Sequence, residues 1–239
     1  KCPILDKKIN KCPVNREGVS GCYPACSITN GFGGAGAYSD GKFNITSEFG
    51  GWMTEYMERN QVEELIKYVD SINLKHGATR KITDPTTKEV KDIEKRGLAS
   101  GLKLLRAKVR HLGTEENLEI LKKIYEELVL TIDMRYKTEV TDIIVENGFV
   151  KGVKLNGDIV NSSKVVIAPG RDGSAWLTKL CNKYDIPKVA NQVDIGVRVE
   201  TNDEIMEEIN EHLYEGKFIF RTSVGTTVRT FCSNPSGHV

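Results

Sequence analysis

Residues 31–42, GFGGAGAYSDGK, combine five glycines with two charged side chains. Glycines at this density let the backbone approach an anionic or flat aromatic ligand closely, because no side chains intervene. Asp40 and Lys42 are the charged groups of the segment, and we expect them to act on a bound molecule. A flexible surface loop is the alternative interpretation. The candidate ligand contacts are Gly33, Gly34, Ala35, Gly36, Ser39, Asp40, Gly41 and Lys42.

A dinucleotide-binding turn is a weaker interpretation of the same segment. Residues 31–36 contain a G-x-G-G-x-G pattern, but the dinucleotide fingerprint needs such glycines between a strand and a helix. Residues 23–30 lack a strand pattern, and Ser39, Asp40 and Gly41 would interrupt a helix that starts at Gly36. The sequence therefore favours a ligand loop over the first turn of a nucleotide-binding fold.

A second glycine turn follows a short apolar run. Residues 164–168, KVVIA, predict a strand buried on both faces, and residues 174–184 predict a helix. Ligands of open α/β sheets gather between such a strand and the next helix, where amide groups point outward. A plain strand-to-helix connection is the alternative. The candidate contacts at this turn are Ala168, Pro169, Gly170 and Arg171.

Cysteines are concentrated near the start of the sequence, where four of the six lie within 26 residues. Several thiolates in one irregular segment could bind zinc or an iron–sulfur cluster, although their spacing matches no established signature. Reduced thiols are the favoured interpretation for a cytosolic chain, and a disulfide is the third alternative. These cysteines are Cys2, Cys12, Cys22 and Cys26.

Other polar residues carry weaker signals. His76 and His111 adjoin glycines at the ends of predicted elements, and His212 lies on a charged helix, so we interpret them as caps or solvated side chains. Arg198 and Glu200 alternate on a predicted strand, where an internal ion pair explains them equally well.

Composition excludes several classes of protein. The chain has 239 residues, of which 39% are hydrophobic and 28% charged, and its net charge is +1. This balance excludes a disordered tail and gives no global attraction to nucleic acid. Basic residues at 102–110 alternate with apolar ones, which predicts a strand with one solvated face. No apolar window is long enough for a membrane span, so we expect a cytoplasmic protein that binds neither nucleic acid nor membrane.

Hydrophobic periodicity predicts a mixed α/β (α+β) fold with substantial antiparallel sheet. Predicted helices lie at residues 61–75, 88–96, 115–128 and 174–184, and a fifth begins at Asp203. Predicted strands lie at residues 102–110, 134–145, 150–155, 159–160, 164–168, 193–200, 218–220 and 226–231, with tight turns at Asn147-Gly148 and Asn156-Gly157. We divide the chain into segments 1–60, 61–130, 131–190 and 191–239.

Four motifs together resemble the FAD-dependent dehydrogenases of a bacterial and archaeal type, which are distant relatives of the glutathione-reductase-like flavoproteins. The motifs are residues 31–42, 165–176 (VVIAPGRDGSAW), 194–200 (DIGVRVE) and 230–232 (TFC). The resemblance implies part of an FAD/NAD(P)-binding fold with an inserted substrate domain of antiparallel sheet and helices. It also implies an internal portion of a longer flavoprotein, whose pyrophosphate turn would precede Lys1.

The resemblance also implies roles for individual residues. Residues 33–42 would approach the flavin or its phosphates, and residues 168–171 would form the second glycine contact with FAD. Arg171 would pair with a phosphate or with the electron-rich edge of the flavin. Val140 would contact the adenine through its backbone. Relatives tend to carry another cysteine after the position of Cys232, and its absence here argues against a redox role for this thiol.

We therefore expect an FAD-dependent oxidoreductase in which the flavin accepts a hydride or an electron pair from a small-molecule substrate. NAD(P)H or another electron donor would be a further partner. Two alternatives stay open: an electron-transfer or metal module built on the cysteines, and a non-enzymatic binding domain whose glycine loops only pack.

Overall fold

The computed structural model describes residues 31–170, 172–190 and 193–235. Within these ranges the chain forms five α-helices, eight short strands and two 3₁₀ turns, Gly34–Tyr38 and Met53–Glu55. The helices are α1 (Arg59–Lys75), α2 (Lys88–Ala99), α3 (Thr114–Leu128), α4 (Ser174–Lys183) and α5 (Asp203–Leu213). The strands are β1 (Lys42–Ile45), β2 (Leu102–Leu105), β3 (Lys108–His111), β4 (Val140–Glu146), β5 (Phe149–Leu155), β6 (Ile159–Asn161), β7 (Lys217–Arg221) and β8 (Thr227–Arg229).

The strands of the described residues pair antiparallel in three small sheets. β1 pairs with β3, β7 lies between β2 and β8, and β5 lies between β4 and β6. The predicted mixed α/β class with antiparallel sheet is confirmed. An FAD-binding fold is not present among these residues. No helix in the described part of the chain combines the length and the apolar character that a membrane span requires.

The chain divides into two compact units. The described residues of the first are 31–35 and most of Tyr125–Asp194, and those of the second are Gly36–Ile124 and 195–235. In the first unit α4 is anchored on β4 by two hydrogen bonds. Trp176 Nε1 donates to the Thr141 carbonyl at 3.0 Å, and Tyr184 Oη donates to the Ile143 carbonyl at 2.8 Å.

Two hydrophobic clusters stabilise the second unit. One joins α2, β2, α5 and β7, so that it connects sequence segments more than 100 residues apart. The other packs one face of β1 against α3. The first cluster contains Val90, Ile93, Leu104, Leu213 and Phe218, and the second contains Ala78, Leu112 and Ile120, with Phe43, Leu74 and Ile124 against it.

An ion pair also fixes α1 to β3 in this unit. Arg110 is only 4% exposed, and its Nε and Nη2 atoms each lie 2.7 Å from a carboxylate oxygen of Asp70. Arg110 Nη1 donates to the Thr79 carbonyl as well. The hydrogen bonds from Arg110 to Asp70, together with the Asp70 charge, raise the guanidinium pKa further above its usual range.

Several predicted elements are confirmed by the structure. The five predicted helices are present, and α2 begins where the Thr87 hydroxyl accepts a hydrogen bond from the Val90 amide at 3.3 Å. The predicted Asn147-Gly148 turn joins β4 to β5, and both residues have positive φ, 51° and 80°. Paired positive φ values are what a two-residue hairpin of this twist requires.

Two strand predictions are wrong, and a third is confirmed only in part. Residues 164–168 and 193–200 form no strand, and Val166 and Ile195 are 93% and 94% exposed. A strand needs a neighbour for its backbone hydrogen bonds, and no strand of the described residues pairs with either run. The strand predicted at 134–145 begins only at Val140.

The single strand predicted at 102–110 is also wrong. The chain forms β2 and β3 instead, and these strands belong to different sheets. Arg110, which the alternation assigned to the solvated face, is buried against Asp70. Alternation therefore located extended backbone here but not the face that solvent covers.

Candidate functional site

The glycine segment leads into the first strand of the second unit through a compact turn. Asn117 on α3 is buried, and its Nδ2 atom donates to the Gly36 carbonyl at 2.6 Å. The Ser39 hydroxyl also donates to the Gly36 carbonyl and accepts a hydrogen bond from the Gly41 amide. These contacts fix the backbone immediately before and after Asp40.

Pairing of β1 with β3 brings two polar side chains together beside Asp40. Lys42 lies directly opposite His111 in the register, so their side chains project to the same face of the pair. The Leu112 amide donates to the Gly41 carbonyl and the Gly113 amide to the Asp40 carbonyl, which continues the pairing past the strand ends. Asp40 and His111 are thereby held on two neighbouring segments of the polypeptide.

Tyr214 reaches the same place from the end of α5. It is the C-cap of that helix and has φ 56° and ψ −46°, an unusual conformation for a residue with a side chain. Backbone strain of this kind costs about 1–3 kcal/mol and is frequent at functional sites. The Tyr214 ring stacks on the His111 ring, with 3.9 Å between centroids and 28° between planes.

Asp40, His111 and Tyr214 form a closed hydrogen-bonding group, which we call the acid–base triad. Tyr214 Oη donates to Asp40 Oδ2 at 2.6 Å and lies 2.7 Å from His111 Nε2. His111 Nε2 also lies 2.9 Å from Asp40 Oδ1. Since the single phenolic hydrogen points to Asp40, a hydrogen on His111 Nε2 completes the set and is shared between the carboxylate and the phenol oxygen.

The triad shifts the acidity of two of its members in opposite directions. Burial alone would raise the pKa of Asp40, but hydrogen bonds from Tyr214 and His111, with the charges of His111 and Lys42, together hold it below its usual value. Burial and the hydrogen bond to Asp40 raise the pKa of the Tyr214 phenol well above its usual range. Asp40 is therefore an anion and Tyr214 a neutral donor at physiological pH.

Lys42 completes the electrostatics of the site. Its Nζ donates to the Ser233 carbonyl at 2.6 Å and lies 3.8 Å from Asp40 Oδ2. The same ammonium lies 5.3 Å from the centroid of the Tyr214 ring, a cation–π distance. The positive charge of Lys42 favours the ionised form of Asp40.

The arrangement suits proton transfer. The Asp40 carboxylate can accept a hydrogen bond from His111 Nε2, and the His111 side chain is 31% exposed, so a bound molecule or solvent can reach it. Carboxylate, imidazole and phenol within hydrogen-bonding distance are the groups that general acid–base catalysis uses. The triad therefore contains the groups needed to deliver or accept one proton.

The glycines differ in what the structure requires of them. A Cβ at Gly31 or Gly36 would meet no atom within 4 Å, so these positions leave open space beside the backbone. Gly33 and Gly34 have positive φ, 80° and 51°. Exposed peptide groups of this kind fit the close approach of a flat or phosphate-bearing molecule.

Gly41, by contrast, is required by packing. Replacing it by alanine is expected to lower the free energy of unfolding by about 2 kcal/mol or more. Its φ is +64°, and an added Cβ would lie 2.8 Å from Asn117 Cβ and 3.0 Å from Leu112 Cβ. Urea denaturation followed by circular dichroism measures the loss. Gly36→Ala is the matched control, since it adds the same methyl group in open space, and equal losses in the two variants would contradict the packing role.

The second predicted turn lies in the first unit. Ala168 and Pro169 lead into Gly170, which has φ 65° and open space around its Cα. Gly173 is the N-cap of α4 and has no side-chain acceptor for the helix amides, and a Cβ there would lie 2.3 Å from Pro169 Cβ. Uncapped amides beside an open glycine fit a phosphate group. Arg171 lies outside the described residues.

Val140 and Ala35 also belong to the first unit. Val140 is the first residue of β4 and pairs with Leu155, with an irregularity in the register immediately after it. Gly33, Gly34 and Ala35 fall in the first unit, whereas Gly36, Ser39, Asp40, Gly41 and Lys42 fall in the second. The contacts described above bring Ser39, Asp40, Gly41 and Lys42 together around the triad.

The cysteine hypothesis concerns residues that the structure does not describe. Cys2, Cys12, Cys22 and Cys26 all lie before residue 31, so a metal site there stays a prediction. Among the described residues no group of three or more His, Cys, Asp or Glu side chains is arranged to hold a metal ion.

Sequence reasoning found part of the triad. It selected Asp40, together with the nearby Lys42, but interpreted His111 as a cap or a solvated side chain and did not select Tyr214. A signal for His111 exists, because pairing the strand at Lys42 with the strand at His111 places the two residues opposite each other. Tyr214 is 174 residues from Asp40 and no local pattern identifies it.

No protein-family model matches the chain, and no curated protein matches it.

Proposed function

We propose that the chain acts in an FAD-dependent oxidation or reduction and that the acid–base triad handles the accompanying proton. The observation that supports this function best is the closed set of short contacts among Asp40, His111 and Tyr214, immediately after the glycine segment. Hydride and electron-pair transfers to or from organic substrates commonly involve a proton at the neighbouring atom. The triad supplies a group suited to that role.

The cofactor in this proposal rests on the sequence resemblance and on the open glycines. The backbone of Gly33–Ala35 and the Ala168–Gly170 turn would hold FAD, with Gly36 bordering the first of these segments. Bound FAD would supply the acceptance of a hydride or an electron pair, for which protein side chains alone are unsuited. A small organic molecule would be the substrate, and NAD(P)H or another reductant would be the electron donor.

Within this function the side chains have separate roles. His111 Nε2 would carry the hydrogen that the group exchanges, and Asp40 Oδ1, 2.9 Å away, would accept a hydrogen bond from it. Tyr214 Oη fixes the Asp40 carboxylate through Oδ2, and its ring orients the imidazole by stacking. Lys42 adds to the hydrogen bonds from Tyr214 and His111 in keeping Asp40 ionised, since its ammonium lies 3.8 Å from the carboxylate.

Titration of FAD with the protein tests the cofactor assignment. We expect saturable quenching of flavin fluorescence, and we expect Gly36→Leu to weaken binding at least tenfold, or about 1.4 kcal/mol. The leucine would enter the open space beside Gly36 that the ligand needs, while the protein itself leaves that space free. The folded state should therefore be retained, which thermal melting checks.

Gly196→Leu is the control for this titration, because Gly196 also has open space around it but is not a candidate contact. It should leave the affinity for FAD unchanged. Absence of saturable quenching, or equal affinities for FAD in the wild type and Gly36→Leu, would refute the cofactor assignment.

A further inference from the structure

A cleft of about 400 Å³ lies in the second unit between β1 and α1. The segment that follows β1 closes one side through Ser47, Phe49 and Met53. Its lining is mainly apolar, and Leu65 and Val69 on α1 remain 47% and 53% exposed. A cavity of this size is in the range that holds small organic ligands.

Two buried amide atoms in the cleft walls have no hydrogen-bond partner among the described residues. Asn44 Oδ1 comes from β1 and Asn73 Nδ2 comes from α1, and both residues line the cleft. Asn73 is only 7% exposed. Buried polar groups are almost always paired, because an unpaired one loses its interaction with water and gains nothing. An unpaired acceptor and an unpaired donor in one cleft therefore point to a ligand that pairs with both.

The charges around the cleft are already neutralised within the protein. Asp70 is held by two hydrogen bonds from Arg110, and Lys42 is held by the Ser233 carbonyl and Asp40. These are the two charged residues in the described lining of the cleft. A charged ligand would find no free counter-charge there and would be costly to desolvate.

We propose that this cleft binds an uncharged, flat and mainly apolar ring that carries a lactam or carboxamide group. The ligand's N–H donates to Asn44 Oδ1, its C=O accepts from Asn73 Nδ2, and the ring packs on the side chains of α1. Leu65, Ile66 and Val69 supply that apolar surface. The site does not depend on the flavin assignment, since neither amide belongs to the triad or to the candidate FAD contacts.

Quinolin-2(1H)-one is a suitable probe, because it is a flat bicyclic lactam with adjacent N–H and C=O groups. We expect it to bind the full chain saturably with a dissociation constant below about 1 mM. In ¹H–¹⁵N spectra the side-chain NH₂ signals of Asn73 should shift on binding. The N-methyl analogue cannot donate to Asn44 and should bind about tenfold more weakly.

Three variants test whether the two amides bind the probe. Asn73→Leu keeps the number of heavy side-chain atoms and the branch at Cγ but lacks the donor, so it should weaken the probe about tenfold, and thermal melting checks that the variant is folded. Asn44→Leu should bind the lactam and its N-methyl analogue equally. Val69→Phe touches neither amide but occupies the cleft, and it should weaken both compounds.

The outcomes separate this proposal from the flavin assignment. The proposal for the cleft is overturned if the lactam does not bind saturably. It is also overturned if the wild type binds the lactam and the N-methyl compound with equal affinity. That comparison needs no variant, so it stands even if a substitution prevents folding. Unchanged binding in Val69→Phe would also place the probe elsewhere and overturn the assignment. FAD binding can succeed or fail independently in the Gly36→Leu titration.

Discussion

Replacing Asp70 by asparagine is expected to lower the free energy of unfolding by about 3–5 kcal/mol, because it leaves the Arg110 guanidinium buried without its counter-charge. The side chains of Arg110 and Asp70 are only 5% and 13% exposed, and two N–O contacts of 2.7 Å join them. Asparagine has nearly the same shape, so the loss reports charge and hydrogen bonding rather than a cavity. Urea denaturation at neutral pH measures it.

Glu208→Gln is the matched control for this variant. It makes the same change of carboxylate to amide in an ion pair with Arg96, but the two side chains there are 51% and 63% exposed. Exposed pairs of this kind contribute little to stability, because solvent and salt screen them, so the loss in Glu208→Gln should be much smaller than in Asp70→Asn. Similar losses in the two variants would show that burial does not decide the strength of the Arg110 pair.

The local sequence pattern was sufficient to predict the helices of this chain. In α1 the apolar residues Val62, Ile66 and Val69 recur at helical spacing, and their common face lines the cleft beside β1. The Asn147-Gly148 turn was equally local, since positive φ at both positions is a property of the two residues themselves. These elements could be predicted because neighbours in sequence supply their defining interactions.

Strands depended on partners that no local pattern identifies. Residues 164–168 and 193–200 have the composition of strands, yet they pair with no strand among the described residues and leave their apolar side chains exposed. The run at 102–110 divides between two sheets because β2 pairs with β7 and β3 pairs with β1. Strand pairing is a long-range property, so composition alone misassigned these runs.

The same distinction explains which site residues could be predicted. Asp40 and Lys42 stand out within a glycine segment, so the sequence indicates them directly. His111 joins them through strand register, and Tyr214 joins them through the end of a helix that packs from elsewhere in the unit. Asn44 and Asn73 likewise could not be selected from the sequence, since only the structure shows that Asn44 Oδ1 and Asn73 Nδ2 are buried without a hydrogen-bond partner among the described residues.

The strained backbone of Tyr214 connects the fold with the triad. A helix end with φ 56° is unfavourable for tyrosine, and glycine is the usual residue there. The neighbouring Gly216 is fixed by packing, because a Cβ there would lie 2.7 Å from Ile209 Cγ2. The tight turn therefore constrains where the Tyr214 ring lies, and the hydrogen bond to Asp40 and the stack on His111 offset part of the strain.

Under the proposed FAD-dependent function, Tyr214→Phe is expected to reduce turnover about 100-fold, since it would remove one member of the proposed proton-transfer group while leaving the ring stacked on His111. The readout is the rate of NADH-dependent reduction of dichlorophenolindophenol in the presence of FAD. Tyr184→Phe is the control, because it also deletes one phenolic hydrogen bond, to the Ile143 carbonyl, and neither residue is a member of the triad. Turnover in that variant should remain at the wild-type rate.

The pH dependence distinguishes loss of the triad from a general loss of structure. The Tyr214 hydrogen bond is one of the interactions that hold the pKa of Asp40 below its usual value, so Tyr214→Phe should raise that pKa. Asp40 then becomes protonated at a higher pH as the solution is acidified, and the acidic limb of the rate profile moves upward in pH. A ¹³C titration of the Asp40 carboxyl measures the same shift without any turnover. An unshifted Asp40 titration in the folded variant would show that the phenol does not support the carboxylate, and the triad could not then act as one proton-transfer group.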